Sequence, residues 1–151
     1  MIYSKTCEYA LRALSYLATK IDRGLTMITE IGDETNLPMS YIAKIFQSLV
    51  RNDILISRRG PAGGFGLKKN PENLTLLEIV KAVDDIEAMK ECVMGLEKCS
   101  TQDACPLHET WTETKEKILQ QLEQCSLSDF IKKTGDRTYR PCRRARLSLS
   151  F

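Results

Sequence analysis

A mainly helical chain with one small β-wing is the fold this sequence predicts, and three observations predict it. Amphipathic stretches at helical spacing fill the first fifty positions, with a break at Leu37-Pro38. The segment RRGPAGGFGLKKNP lies between two short apolar runs, as the glycine-rich tip of a hairpin does. Beyond residue 106, Leu107, Trp111, Thr114, Ile118, Leu122 and Cys125 step by four, three, four, four and three, the seam of a long helix of coiled-coil type, broken by Thr114.

Taken in order, the spacing predicts a first helix over 4–22. Ser4 caps it, Leu11, Leu14, Leu17, Ala18 and Ile21 recur along it, and Arg23-Gly24 stops it. A shorter helix follows over 26–36, with Ile28 and Ile31 inward. A third opens at Pro38 or Ser40 and turns Ile42, Ile45, Phe46, Leu49 and Val50 to the core. A strand is predicted over 54–57 and its return over 65–67. Leu76, Ile79, Val80 and Val83 form the inward side of a fourth helix that ends near Asp84 and Asp85. The long helix starts near Pro106, a residue suited to a first helical position, and a short one spans 126–133. The chain divides into a winged unit over 1–83, a cysteine-rich loop over 84–105, the long and short helices over 106–133, and a basic tail over 134–151. That tail carries Arg137, Arg140, Arg143, Arg144 and Arg146 with little apolar periodicity, and reads as solvated.

Composition sets limits. With 151 residues, 42% hydrophobic and 28% charged, the chain has the makings of one packed domain plus an extension. A net charge of +2 is too small to name a partner, so a nucleic-acid argument rests on where the charges sit. No apolar run has the length that spans a bilayer, and Lys5, Glu8 and Arg12 interrupt the first apolar stretch as no secretory signal allows. A cytoplasmic protein is expected. In that compartment thiols stay reduced, so the six cysteines point to metal or redox chemistry before disulfides.

Two helices, a tight turn, a third helix and a hairpin make a winged helix-turn-helix. The third helix of such a unit fits the major groove, where base edges carry a distinct donor and acceptor pattern. Its outward side holds Met39, Ser40, Tyr41, Lys44, Gln47 and Ser48, which are also what the wet side of an amphipathic helix would hold. The wing weighs more. Arg58 and Arg59 precede the turn, Lys68 and Lys69 follow it, and no acid lies between them. Glycines such as Gly60 let a backbone approach a groove, and arginine suits the negative potential of a narrow minor groove. Double-stranded DNA is the expected partner.

Cys92, Cys99 and Cys105 are separated by six and five residues, and His108, the chain's only histidine, follows shortly after. Thiolates are the usual ligands of iron–sulfur clusters and of structural zinc. The paired Cys-x-x-Cys of a zinc ribbon is absent here, and wider gaps suit a larger cluster. Zinc and bare reactive thiols remain as alternatives. A Cys–His nucleophile with no oxyanion site does not make an enzyme.

Four stretches together resemble the bacterial IscR/NsrR regulators, the Rrf-two family of winged-helix transcription factors. They are YALRALSYLA, LPMSYIAKIFQSLVRNDIL, SRRGPAGGFGLKKNPENLTLLEIVKAVD and the cysteine loop, and the match runs from residue 1 to about 133. The resemblance implies a homodimer paired through the long helix, with Trp111, Ile118 and Leu122 at the interface, on a two-fold symmetric operator. It implies major-groove contacts from Ser40, Tyr41 and Gln47 and minor-groove contacts from Arg59 and Gly60. Lys44 stands where relatives often carry glutamate. Cluster-binding relatives hold three cysteines in this loop, usually five and five apart. The extra residue in the first gap here leaves the cluster 4Fe-4S or 2Fe-2S. The fourth ligand is His108, as in IscR-like members, or Glu8, where NsrR-like members carry an acidic ligand from the partner subunit. Cys7, Cys125 and Cys142 read as packing thiols. The function this implies is a dimeric repressor that senses nitric oxide, redox state or iron–sulfur status. The alternative is a cluster-free winged-helix regulator using thiols or zinc.

Overall fold

Ser4 opens helix α1 (Lys5–Thr19): its Oγ accepts the Cys7 N–H at 3.3 Å. The helix stops before residue 22. The chain tightens into a 3₁₀ turn at Ile21–Arg23, and Ile21 is 45% exposed, so its fit to the helical period outruns the helix. The computed structural model describes residues 4–84 and 106–135. The expectations that fall on the cysteine trio Cys92, Cys99 and Cys105, on Cys142 and on the arginine tail lie outside the described residues.

Helix α2 (Ile28–Thr35) ends at Asn36, which adopts the left-handed conformation at φ 51° and donates its N–H back into the last turn. Asparagine tolerates that conformation where most residues do not. Leu37 is buried and Pro38 becomes the N-cap of helix α3 (Met39–Arg51). Helix α3 buries Ile42, Ile45, Phe46 and Leu49, as its period predicts, and leaves Val50 half-buried.

Strands β1 (Leu55–Arg58) and β2 (Gly64–Leu67) pair antiparallel, with Leu55 opposite Leu67 and Arg58 opposite Gly64. The hairpin is fastened to the chain ahead of α2. Thr26 and Phe65 exchange backbone hydrogen bonds of 2.9 and 2.8 Å, a bridge the sequence did not predict. Gly64 permits that approach. At φ 147°, a Cβ there would lie 2.4 Å from the Thr26 carbonyl oxygen.

Helix α4 (Leu76–Val83) opens on a capping box in which Thr75 and Glu78 bond each other's backbone N–H. It buries Ile79, Val80 and Ala82, while Leu76 and Val83 are half-buried. Helix α5 (His108–Gln124) begins at His108, after a turn through Pro106 and Leu107. Helix α6 (Leu127–Thr134) repeats the capping box with Ser126 and Asp129. The starts of α4 and α6 lie side by side. Leu76 N–H donates to Cys125 O at 2.9 Å, and Leu127 N–H to Leu74 O at 2.8 Å. Leu127 therefore joins Leu14, Ile31, Phe46, Leu49 and Ile79 in one core. Each such side chain contributes roughly 1.5–3 kcal/mol through burial.

Candidate nucleic-acid interface

The buried side of α3 fixes what its other side presents. With Ile42, Ile45, Phe46 and Leu49 in the core, Ser40, Tyr41, Lys44 and Gln47 are all exposed. Tyr41 is 56% exposed, and its ring stands edge-on to Tyr9 of α1, centroids 6.0 Å apart at 88°. A contact of that geometry contributes about 0.5–1.5 kcal/mol and limits where the phenol points. Ser48 departs from expectation. It is half-buried, and its Oγ donates to the Ala82 carbonyl at 2.6 Å, so it ties α3 to the end of α4 and does not belong to the outward set.

The wing's four cations divide in two. Lys68 Nζ lies 2.6 Å from Asp53 Oδ1, and Lys69 pairs with Glu78. The bond and charge of Lys68 hold the Asp53 carboxyl below the usual carboxylate range. For Glu78, burial pushes upward, but the bonds from Lys69 and Thr75 outweigh it and the net shift is downward. Neither acid lies inside the tract RRGPAGGFGLKK, so the tract alone hides both pairings. Arg58 and Arg59 are exposed and have no ion-pair partner among the described residues. Between arginines and hairpin return, Gly60 sits at φ 108° with nothing within 4 Å of where a Cβ would stand. That conformation favours glycine, and the space around it is open to a groove wall.

Glu8 and His108 stand at the starts of α1 and α5. The Glu8 side chain is 49% exposed, and its Oε1 is a long 3.8 Å from Arg12 Nη1. Arg12 itself is buried, and its Nη2 donates to the Thr35 carbonyl at 2.6 Å, clamping α1 to the last turn of α2. At the other end of the reading unit, Asp84 Oδ2 accepts the Ser4 N–H at 2.8 Å. The point where the chain leaves α4 towards the cysteine segment is thus latched to the start of α1, one turn from Glu8. Sequence reading missed the Arg12, Asp84 and Ser48 contacts, because each joins residues far apart in the chain. Among the described residues no three His, Cys, Asp or Glu side chains gather to hold a metal. Cys7 is buried, and burial, with Asp84 nearby, pushes its thiol up to about 12, so it stays protonated and packs.

Helix α5 has no buried side chain. Trp111, Ile118 and Leu122 are half-exposed, and a groove of about 380 Å³ runs between α5 and the start of α4, lined by Leu76, Ile118, Leu122 and Cys125. No helix among the described residues is long and apolar enough to cross a membrane.

The sequence pattern of the Rrf2 family, described as an iron-dependent transcriptional regulator, matches residues 3–133. A protein of Aquifex aeolicus named as an HTH-type transcriptional regulator is 34% identical over 133 residues, covering 87% of this chain and 92% of that one. The HTH-type transcriptional regulator IscR of Xenorhabdus nematophila is 29% identical over 125 residues, covering 83% of this chain and 76% of its own. Among solved structures, CymR, the global cysteine regulator of B. subtilis, superposes with a TM-score of 0.71 at 26% identity, over 87% of this chain and 96% of that one. With a winged helix-turn-helix built as above, exposed on its reading side, the chain belongs to the Rrf2 (Rrf-two) family of DNA-binding transcriptional regulators, a regulatory and not an enzymatic role.

Proposed function

We propose that this chain is a dimeric repressor whose operator affinity is set through an iron–sulfur cluster held by Cys92, Cys99 and Cys105, with Glu8 or His108 as fourth ligand. Its signal is nitric oxide, redox state or iron–sulfur supply. Ser40, Tyr41 and Gln47 read the major groove, Arg59 and Gly60 approach the minor groove, Lys44 and Arg58 bind the duplex beside them, and Trp111, Ile118 and Leu122 pair the two copies. The observation that carries the DNA half is that Gln47 of α3 and Arg58, Arg59 and Gly60 of the wing line one cleft, with the arginines unpaired among the described residues.

The donor chemistry fits the cluster. Three thiols with one carboxylate or imidazole form a set that suits iron and leaves one weaker ligand. Glu8 is exposed and only loosely held by Arg12, so its carboxylate is available. Cys7 is buried and packs within the core. When bound, such a cluster supplies an oxidisable iron centre that nitric oxide attacks.

The chain's own contacts supply the route to DNA. Ser4–Asp84 and Ser48–Ala82 fasten the last residues of α4 to α1 and to α3. Arg12 holds α1 on the turn that precedes the reading helix. A rearrangement between α4 and α5 therefore bears on both helices that set the direction of Tyr41. A dimer reads half-sites at fixed spacing, so a small rotation of paired reading helices disfavours an operator. Switching occupancy from nearly empty to nearly full needs about 5.5 kcal/mol of differential affinity.

Anaerobic purification from iron-replete cells, with a visible spectrum and iron and sulfide counts, tests the cluster. Brown protein is expected, with colour lost in Cys99→Ala and weakened in one of Glu8→Ala and His108→Ala. Colourless protein containing zinc or no metal would establish the cluster-free alternative.

A further inference from the structure

A cleft of about 640 Å³ separates the reading helix from the wing. Arg51 borders it at the end of α3, Ser57 and Arg58 border it on β1, the half-buried Val50 and Phe65 form an apolar floor, and the exposed Met27 stands at its edge. Arg51 and Ser57 play no part in the assignments above. Both are exposed, and neither has an ion-pair or side-chain hydrogen-bond partner among the described residues. Arg51 contrasts with Lys68 and Lys69, whose charges are already answered by acids.

The position of the cleft says what lies over it. A helix in the major groove and a wing tip in the neighbouring minor groove straddle the sugar-phosphate strand that divides the two grooves. That strand has to run between helix and wing. It brings one negative charge per nucleotide, spaced sugars between them, and no sequence information. A cleft with arginines at its rim and an apolar floor meets both features, the first by charge and the second by contact with sugar faces. We propose that this cleft seats the phosphodiester strand of the bound duplex, with Arg51 and Ser57 as phosphate-binding residues that fix the register of α3. The inference rests on the DNA-reading assignment and goes beyond it, since it names contacts that position the protein without reading bases. Arg51 also suits the carbonyl end of α3, where a cation is favoured without any ligand. The test has to separate the two roles.

Fluorescence anisotropy with the full-length protein would use two probes. One is a duplex selected by the wild type from a random pool, the other a random-sequence duplex. Each is titrated across a range of salt. Arg51→Ala is expected to weaken both probes alike, by about tenfold, and to flatten the dependence of log Kd on log salt by about 0.9. Arg51→Lys should restore the slope. Ser57→Ala, which removes no charge, should cost about threefold and leave the slope alone. Lys81→Ala, an exposed cation on α4 away from the cleft, should change neither. A purely helix-stabilising Arg51 would lower the thermal midpoint of Arg51→Ala and leave the salt slope at the wild-type value, which would overturn the proposal. Loss confined to the selected duplex would overturn it too, by making Arg51 a base reader. Wild-type protein that binds neither duplex would instead remove the DNA-reading assignment itself.

Discussion

Helices α1 and α5 are nearly the same length, 15 and 17 residues, and opposite in how they are held. Eight side chains of α1 are buried, and none of α5 is. Helix α1 is stabilised by this chain alone, through the core it shares with α2, α3 and α4. Helix α5 touches α4 but leaves Ile118 and Leu122 over an open groove. An isolated helix of this length is marginal in water, and most helical stability comes from packing an apolar face. The reading unit is packed from its own described elements, whereas the long helix carries an apolar seam that the described residues leave half-exposed. A second copy, through the same seam, is the surface we propose.

Perturbations of the two regions should therefore separate. Phe46→Ala empties a fully buried site whose ring also meets Phe65 edge-on, centroids 4.9 Å apart. It should cost about 3–5 kcal/mol in urea unfolding. Ile118→Asp should split the dimer in sedimentation analysis. It should weaken operator binding by about a hundredfold, near 2.7 kcal/mol, with the α1–α4 core still folded. A dimer that survives Ile118→Asp together with Leu122→Asp would show that α5 is covered by something else. Arg59→Ala should lower operator affinity about tenfold, and a gel shift like the wild type's would remove the wing from the interface. Thr75→Ala breaks the capping box of α4 and should cost about 1 kcal/mol of stability with no change in dimerisation. Lys68→Ala should leave DNA affinity nearly unchanged, because that charge already serves Asp53.

Acid should act on the reading unit in the same sense. Glu78 is held below its ordinary value of 4.5, so the unfolded chain binds its proton more readily than the folded one. Its stabilising contribution is present above that ordinary value and fades as pH falls through the lowered folded one. Glu78→Gln should flatten the acid side of the stability profile, as followed by thermal melts between neutral pH and about pH 3.

Much of the fold was legible because helical period and glycine or proline punctuation are local signals. The reading helix and the two wing strands lie within a residue or two of where their spacing predicts, and a long helix stands where the steps from 107 to 125 predict one. Ends were less so. Helix α1 closes at Thr19 because the backbone tightens there, while the apolar period runs on to Ile21. Helix α5 begins at His108, two positions past the proline expected to open it. Spacing also tells which side of a helix is dry without telling what covers the margin. Ser48 shares the outward flank with Tyr41 on a helical wheel, yet α4 crosses over it and takes its hydroxyl. The wing lysines look free in sequence for the same reason. Asp53 reaches Lys68 only once the hairpin has folded back, and Glu78 reaches Lys69 only once the chain has turned into α4.

In the function proposed above, DNA affinity follows the state of the cysteine segment. One anaerobic preparation decides this, its Kd for a duplex selected from a random pool being measured before and after iron is stripped by a chelator. Loss of visible absorbance is expected together with at least a hundredfold change in Kd, about 2.7 kcal/mol, a large part of what a full switch needs. An unchanged Kd across complete loss of iron, with the dimer intact, would contradict it.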